Sequence, residues 1–179
     1  MNISYIGATE YLHDIWRLAA KVRKGGWRPD WLIGLWRGGA PVAVAMHEFF
    51  CVTGWKEIRH NSVKCFSYTG IGESESAVRF ECADEVLGAV RSGENVLVAD
   101  DVFDSGRSAL AAREKILERG ANFRCASVYW KPGKNMTSIV PDYFVSELPD
   151  DWICFPHEIE GLTPEQIVKK DPFLAELLK

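Results

Sequence analysis

The chain has 179 residues, of which 47% are hydrophobic and 26% charged, values that fit one compact domain with a sizeable core and exclude general disorder. Its formal charge is −4, from 21 basic and 25 acidic residues, so no strong overall field draws nucleic acid or an anionic membrane, and any anion has to be held by local geometry. No apolar run reaches the roughly 18 residues of a membrane-spanning helix.

Leu12, Ile15, Trp16, Ala19 and Val22 recur at helical spacing, with Thr9 able to cap that helix and Gly25-Gly26 to end it. Pro29-Asp30 turns the chain into an apolar run from Trp31 to Leu35, read as a buried strand. The glycine turn Arg37-Gly38-Gly39 follows, and Pro41 suits the first turn of a helix running through Met46 to Phe50. Residues 56–66 are a second predicted strand. Residues 67–78 carry two glycines, three serines and two glutamates, and read as a long, mobile loop of the kind that serves as a lid or remains a plain surface loop. Ala83 to Val90 is a predicted helix. Asn95 to Ala99 has the character of a central parallel strand and ends in Asp100-Asp101. A turn from Val102 to Ser108 leads to a helix over Ala109–Arg119, stopped by Gly120, and then to a strand over Ala126–Trp130. Two short strands, Tyr143–Ser146 and Trp152–Phe155, are divided by Pro149-Asp150-Asp151 and are expected to form a small hood or an edge. Thr163-Pro164-Glu165-Gln166 is a capping box that opens the last helix.

Strands alternating with helices predict an α/β fold, a mainly parallel β-sheet flanked by helices. The expected organisation is a single domain over residues 1–179, with its core at about 31–130 and a small hood from about 131–160 plus the termini. Five cysteines, widely spaced and without a CxxC pair, make a poor zinc or disulfide pattern and suggest reduced thiols in a cytoplasmic protein. The N-terminal stretch has no basic segment followed by an apolar core, so no signal peptide is expected. Seven tryptophans are many for this length; some should stack on a flat partner or cover an edge.

The chemistry concentrates in Val96 to Ser108. A buried strand delivers two adjacent carboxylates at its C-terminal end, the end where open α/β sheets bind ligands. Ser105, Gly106 and Ser108 are small enough for backbone N–H groups and hydroxyls to close around an anion at a helix start. Carboxylates beside an anion site make sense for a phosphorylated sugar. The phosphate occupies the turn, while Asp100 and Asp101 accept hydrogen bonds from ribose hydroxyls, suit Mg²⁺ and favour positive charge developing on the sugar ring. The plainer reading is that the acids only cap the next helix. Other chemistries fail: His47-Glu48 is followed by Cys51 where a zinc protease needs histidine, and neither a Gly-x-Ser-x-Gly elbow nor a Walker A loop is present. His13 and His60 read as ordinary residues.

Asp100-Asp101-Val102-Phe103-Asp104-Ser105-Gly106-Arg107-Ser108 resembles the signature of the type I phosphoribosyltransferases, with serines in place of two threonines. The resemblance spans about residues 31–160. It implies that fold, and an enzyme that binds phosphoribosyl pyrophosphate with Mg²⁺ and passes the ribose phosphate to a nitrogen nucleophile. Asp104, Ser105, Gly106, Arg107 and Ser108 would hold the 5-phosphate. Leu35-Trp36-Arg37-Gly38-Gly39 resembles the family's pyrophosphate-binding loop, Trp36 standing where smaller residues are commoner. In relatives the peptide bond entering that loop can be cis; the sequence leaves this open here. Ser67-Tyr68 is similar to the start of a catalytic lid.

The resemblance also narrows the base. Asp104 matches the acid of the 6-oxopurine branch, a general base for a ring proton, though it can equally cap the next helix. Lys131-Pro132 resembles the xanthine-guanine enzymes, whose lysine donates to the 6-oxo group; lysine offers only donors, which disfavours adenine. Trp152-Ile153 is similar to a purine-stacking pair, or Trp152 is a hood-core residue. Glu158 falls where relatives carry an acid near a second metal, and Phe155 to Gly161 looks closest to xanthine-guanine and archaeal-type hypoxanthine-guanine members. The implied partners are phosphoribosyl pyrophosphate and guanine, xanthine or hypoxanthine, in purine salvage, by a homodimer or homotetramer with no nucleic acid or membrane span. The alternatives are a branch with a pyrimidine acceptor, and a sensor or regulator built on the same fold.

Overall fold

The computed structural model describes residues 3–68, 77–81 and 83–178. In chain order these form β1 (Ile3–Tyr5), α1 (Ala8–Lys24), β2 (Trp31–Trp36), α2 (Gly39–Val52), β3 (Arg59–Tyr68), β4 (Ala77–Glu81), α3 (Ala83–Leu87) and β5 (Asn95–Phe103). Then follow α4 (Arg107–Glu118), β6 (Asn122–Trp130), a single 3-10 turn (Pro132–Lys134), β7 (Tyr143–Glu147), β8 (Trp152–Cys154), α5 (Pro164–Lys170) and α6 (Pro172–Leu177). The described chain gathers into two units, His13–Asp150 and the pair of segments Met1–Leu12 and Asp151–Lys179.

The larger unit holds a six-stranded sheet in the order β4-β3-β2-β5-β6-β7, parallel throughout except for β4, which runs antiparallel to β3 at the edge. This is the α/β architecture expected. Alternate residues of the central strands point to opposite faces. Ile33, Leu35, Val96 and Val98 form one core with Ala112 and Ile116 of α4. Their neighbours Leu32, Leu97 and Ala99 are equally buried, and α2 packs on β2 and β5. Burial on both faces is why these strands read as unbroken apolar runs. Helix α1 is fastened by its polar side: Tyr129 donates to Asp14 at 2.7 Å, and Lys21 donates to the carbonyl of Phe144 at 2.7 Å.

Three of the differences from expectation have one reason, the reach of a ladder. β5 does not stop at Ala99. Its pairing with β2 ends at Gly34↔Ala99, but its pairing with β6 continues to Phe103↔Trp130, so Asp100 and Asp101 lie inside the strand. β6 starts early, at Asn122, where the Asn122 amide bonds the Asn95 side chain at 3.1 Å. Of the two strands expected to form a small hood or an edge, β7 forms an edge and does not join β8. It adds to the main sheet beside β6, while β8 pairs in parallel with β1, a three-residue strand too short to leave a periodic signal. The expected loop over 67–78 is bounded by strand at both ends, Ser67 and Tyr68 pairing with Val78 and Ala77; its middle, 69–76, lies outside the described residues.

Some of the tryptophans stack on flat partners, and for three of them the partner is an arginine. Arg23 lies over Trp55 and Arg59 over Trp31, each 4.5 Å from ring centre, and Arg124 lies over Trp27 at 4.9 Å. Among the described residues Cys51, Cys65, Cys125 and Cys154 are free thiols, and no helix is long and apolar enough to cross a membrane. In the smaller unit Phe155 is buried and its ring lies 5.2 Å from that of Tyr11. The predicted capping box is present: Gln166 N–H donates to the Thr163 hydroxyl, and Thr163 N–H to the Gln166 side chain. A second cap, Asp171, then starts α6.

At the N-terminal end of the sheet Glu94 ties three elements together. Its carboxylate accepts from the Arg91 backbone at 2.9 Å, pairs with Arg59 at 2.6 Å and accepts from the Trp31 ring nitrogen at 3.0 Å. The backbone bond to Arg91 above all, with Arg59 and Trp31 adding to it, lowers the carboxyl from 4.5 to about 2. A depressed acid stabilises the fold above its unfolded pKa, and that stability is lost as pH falls through the folded value. Glu94→Gln should therefore melt roughly 2–4 °C below wild type at pH 7, the shift of ~1 kcal/mol in a chain this size. Differential scanning calorimetry should show the gap closing as pH falls from 4.5 towards 2.

Candidate active site

Two helices begin at the C-terminal end of the parallel strands with no side-chain cap and no acidic residue in the first turn. Gly38 precedes α2, and Gly106 precedes α4. Helix N-termini left this way present backbone N–H groups and a positive dipole end to an anion. β5 delivers Asp100 and Asp101 into the same region.

Asp101 is buried; its carboxylate accepts from the Val102 backbone at 2.7 Å, and Asp100 accepts from the Asp101 backbone at 3.0 Å. Burial, and then the neighbouring charge of Asp101, push the Asp100 carboxyl well above the usual carboxylate range. The pair is thus an electrostatically costly oxygen set that a hard cation would relieve.

The 36–39 loop lies directly against these acids. The Trp36–Arg37 peptide is cis, and both of those side chains are exposed. A methyl on Gly38 would come within 1.9 Å of an Asp101 carboxylate oxygen, and one on Gly39 within 2.2 Å of the Ala99 carbonyl oxygen. Only bare backbone fits between β2 and β5 here.

The 104–108 turn closes a hollow of about 80 Å³ lined by Asp100, Asp104, Ser105, Gly106 and Ser108. Gly106 is left-handed, at φ 76°, so α4 starts two residues later than a side-chain cap at Asp104 would have it. Asp104 is therefore not the cap. Its Oδ2 instead meets two lysines, Lys131 at 3.5 Å and Lys134 at 3.6 Å. Lys131 is buried at the end of β6, its backbone N–H bonded to Phe103 at 2.9 Å. Arg107 opens α4, half-buried like Ser108.

Sequence reasoning missed three contributors. Lys134 gave no motif signal. The 135–137 segment braces the turn: Met136 N–H bonds the Ser105 carbonyl at 3.0 Å, and Asn135 and Thr137 crowd Gly106. Cys65 of β3, read as a plain thiol, bonds the Ser108 side chain, and burial raises its pKa.

Trp152, Ile153 and Glu158 belong to the smaller unit. Trp152 is half exposed at the start of β8 and Ile153 is buried. The Glu158 carboxylate accepts from the Phe155 backbone at 3.1 Å. Lys170 bonds the Glu158 carbonyl at 2.7 Å and also the Phe155 carbonyl, fixing that turn from α5. Ser67 and Tyr68 lie at the end of β3.

Comparison with known proteins places these features in a family. Residues 7–160 match the model of the phosphoribosyl transferase domain. The chain is 28% identical over 173 residues to a xanthine-guanine phosphoribosyltransferase of Idiomarina loihiensis, covering 92% of this chain and 96% of the relative. The crystal structure of a purine phosphoribosyltransferase from Pyrococcus horikoshii is similar at 27% identity and a TM-score of 0.69, over 91% of this chain and 99% of that one. A hypothetical protein from Neisseria gonorrhoeae, solved with ppGpp bound, shares the fold at a TM-score of 0.76 and 21% identity, over 99% and 98% of the two chains.

The close approach at Gly39 is directly testable. In Gly39→Ala the new methyl meets backbone on a central strand, which should cost about 1–3 kcal/mol and lower the melting temperature by several degrees. Gly7→Ala, with nothing within 4 Å, should cost only the small preference for glycine over alanine at the start of α1 and melt closer to wild type. Equal melting of the two variants would contradict the packing described.

Proposed function

We infer the reaction from what the chain is: it belongs to the phosphoribosyl transferase domain family and is a glycosyltransferase-type enzyme. The reading we propose is transfer of the 5-phosphoribosyl group from phosphoribosyl pyrophosphate to a 6-oxopurine (guanine, xanthine or hypoxanthine), with release of pyrophosphate. One observation carries the choice of acceptor: a buried lysine, a donor-only group, sits 3.5 Å from a proton-accepting carboxylate beside an uncapped helix start.

In this reading residues 104–108 and the α4 N-terminus hold the 5-phosphate, and residues 36–39 with the α2 N-terminus hold the pyrophosphate. Asp100 and Asp101 accept from the ribose hydroxyls. The same pair fits Mg²⁺, being hard oxygen donors whose mutual repulsion a cation would relieve; Glu158 is proposed as a further acid for metal. Mg²⁺, when bound, would neutralise charge on the departing pyrophosphate. Ser67 and Tyr68 would open a lid that excludes water, which would otherwise compete as nucleophile. Lys131 donates to the 6-oxo group, while Trp152 and Ile153 are proposed as purine contacts on the strength of the sequence resemblance.

The bond from the anomeric carbon to the pyrophosphate oxygen breaks, and the bond to the purine nitrogen forms, through an oxocarbenium-like state. Asp104 takes the proton that the purine ring nitrogen loses. Positioning of both partners supplies much of the rate. The resemblance further supports purine salvage in the cytoplasm by a homodimer or homotetramer.

A base panel with labelled phosphoribosyl pyrophosphate tests the assignment. Pyrophosphate release should be fastest with guanine, xanthine or hypoxanthine. Faster turnover with uracil or orotate would move the enzyme to another branch, and donor binding without release for any base would make it a sensor. Asp104→Asn should lower kcat ~10²–10⁴-fold and change donor affinity little. An equal loss in both would make Asp104 scaffold rather than base.

A further inference from the structure

One lysine would balance the charge of Asp104; the structure places two on it. Lys131 and Lys134 flank the single 3-10 turn after β6, with Lys134 N–H bonded to the Lys131 carbonyl at 3.1 Å. Both ammonium groups converge on the same carboxylate oxygen, at 3.5 and 3.6 Å. They differ in environment: the Lys131 side chain is 4% exposed, that of Lys134 32%, and Asp104 is 38% exposed. A buried ammonium that turns from a carboxylate to a neutral carbonyl leaves that carboxylate short of a counter-charge. Here a second cation is already in place on the carboxylate.

We propose that Lys134 is a positioning residue: it holds the Asp104 carboxylate in place while Lys131 changes partner from Asp104 to the base. The two lysines thus divide their work. Lys131 reads the substrate, and Lys134 holds the proton acceptor. This division rests on the purine reading above, but the Lys134–Asp104 hold does not, and the two can be tested apart. The charged side chains that the described structure places on Asp104 are these two lysines, from the turn that follows β6; α4 adds its N-terminal dipole end and Arg107 to the neighbourhood.

The test compares wild type, Lys134→Gln and Lys134→Arg in the full chain. First, the Asp104 carboxyl is followed by ¹³C NMR at pH 7, assigned through Asp104→Asn. Lys134→Gln should move and broaden that resonance, and Lys134→Arg should restore it. A resonance unmoved by Lys134→Gln overturns the proposal whether or not the enzyme turns over. Second, with a 6-oxopurine that the base panel accepts, Lys134→Gln should lower kcat several-fold and leave the KM for phosphoribosyl pyrophosphate unchanged. Lys134→Arg should recover most of that loss. An unchanged kcat, a matching rise in that KM, or no rescue by arginine would also overturn it. Should no base be accepted, the purine reading fails, and the NMR comparison alone decides whether Lys134 holds Asp104.

Discussion

The site depends on the point where two strands part. β5 is paired on both sides only as far as Ala99; beyond that point β2 keeps its pairing with β3 through Trp36 but not with β5, and β6 alone carries the β5 ladder on to Phe103. The four extra residues are held rigid by one neighbour and open on the other. Into that open side comes the Arg37–Gly39 turn, so close that a methyl on Gly39 would strike the Ala99 carbonyl. Two acids, a glycine loop and two helix starts meet because β5 parts from β2 before it parts from β6. A shorter β6 would leave Asp100 and Asp101 on a loose loop, and continued pairing with β2 would fill the space with backbone.

The electrostatics follow from this placement. Carboxylates and anion sites ordinarily repel, and here they are held within one strand end. Burial and mutual repulsion raise Asp100, while the dipole ends of α2 and α4 face the same region without side-chain caps. In the reading proposed above, one ligand carrying hydroxyls, negative phosphates and a hard cation together would relieve both halves of the arrangement. This is a stronger constraint on the ligand than either half, because a simple anion would relieve only the helix starts, and a simple cation only the acids.

Much of this was legible in the residues. The apolar runs from Trp31 and Asn95 marked the two strands buried on both faces, and the small residues after Asp104 marked a turn into a helix. What was hidden had physical causes. The continuation of β5 through two aspartates runs against strand propensity and is settled by cross-strand pairing to β6, which no local pattern reveals. The three-residue β1 is set by its partner Trp152–Cys154, more than a hundred positions away. β7 and β8, divided by Pro149-Asp150-Asp151, read together as a small hood or an edge, but β7 pairs with β6 and β8 with β1, which no local pattern reveals. The bracing of Gly106 by Asn135 and Thr137 depends on contact across thirty residues and leaves no motif.

Asp104 shows how a local rule can point at the right residue for an incomplete reason. Aspartate just before a helix is a good cap, and a cap was a sufficient account of its presence. A left-handed glycine two residues later moves the helix start beyond its reach, and frees the carboxylate from backbone duty. A carboxylate released from capping in a half-buried turn needs other partners, and the fold provides lysines from the far end of the neighbouring strand. Gly106 therefore has two effects at once: it leaves the α4 backbone N–H groups without a side-chain cap, and it leaves Asp104 paired with cations that can be exchanged, where a capping aspartate would be locked to its own helix.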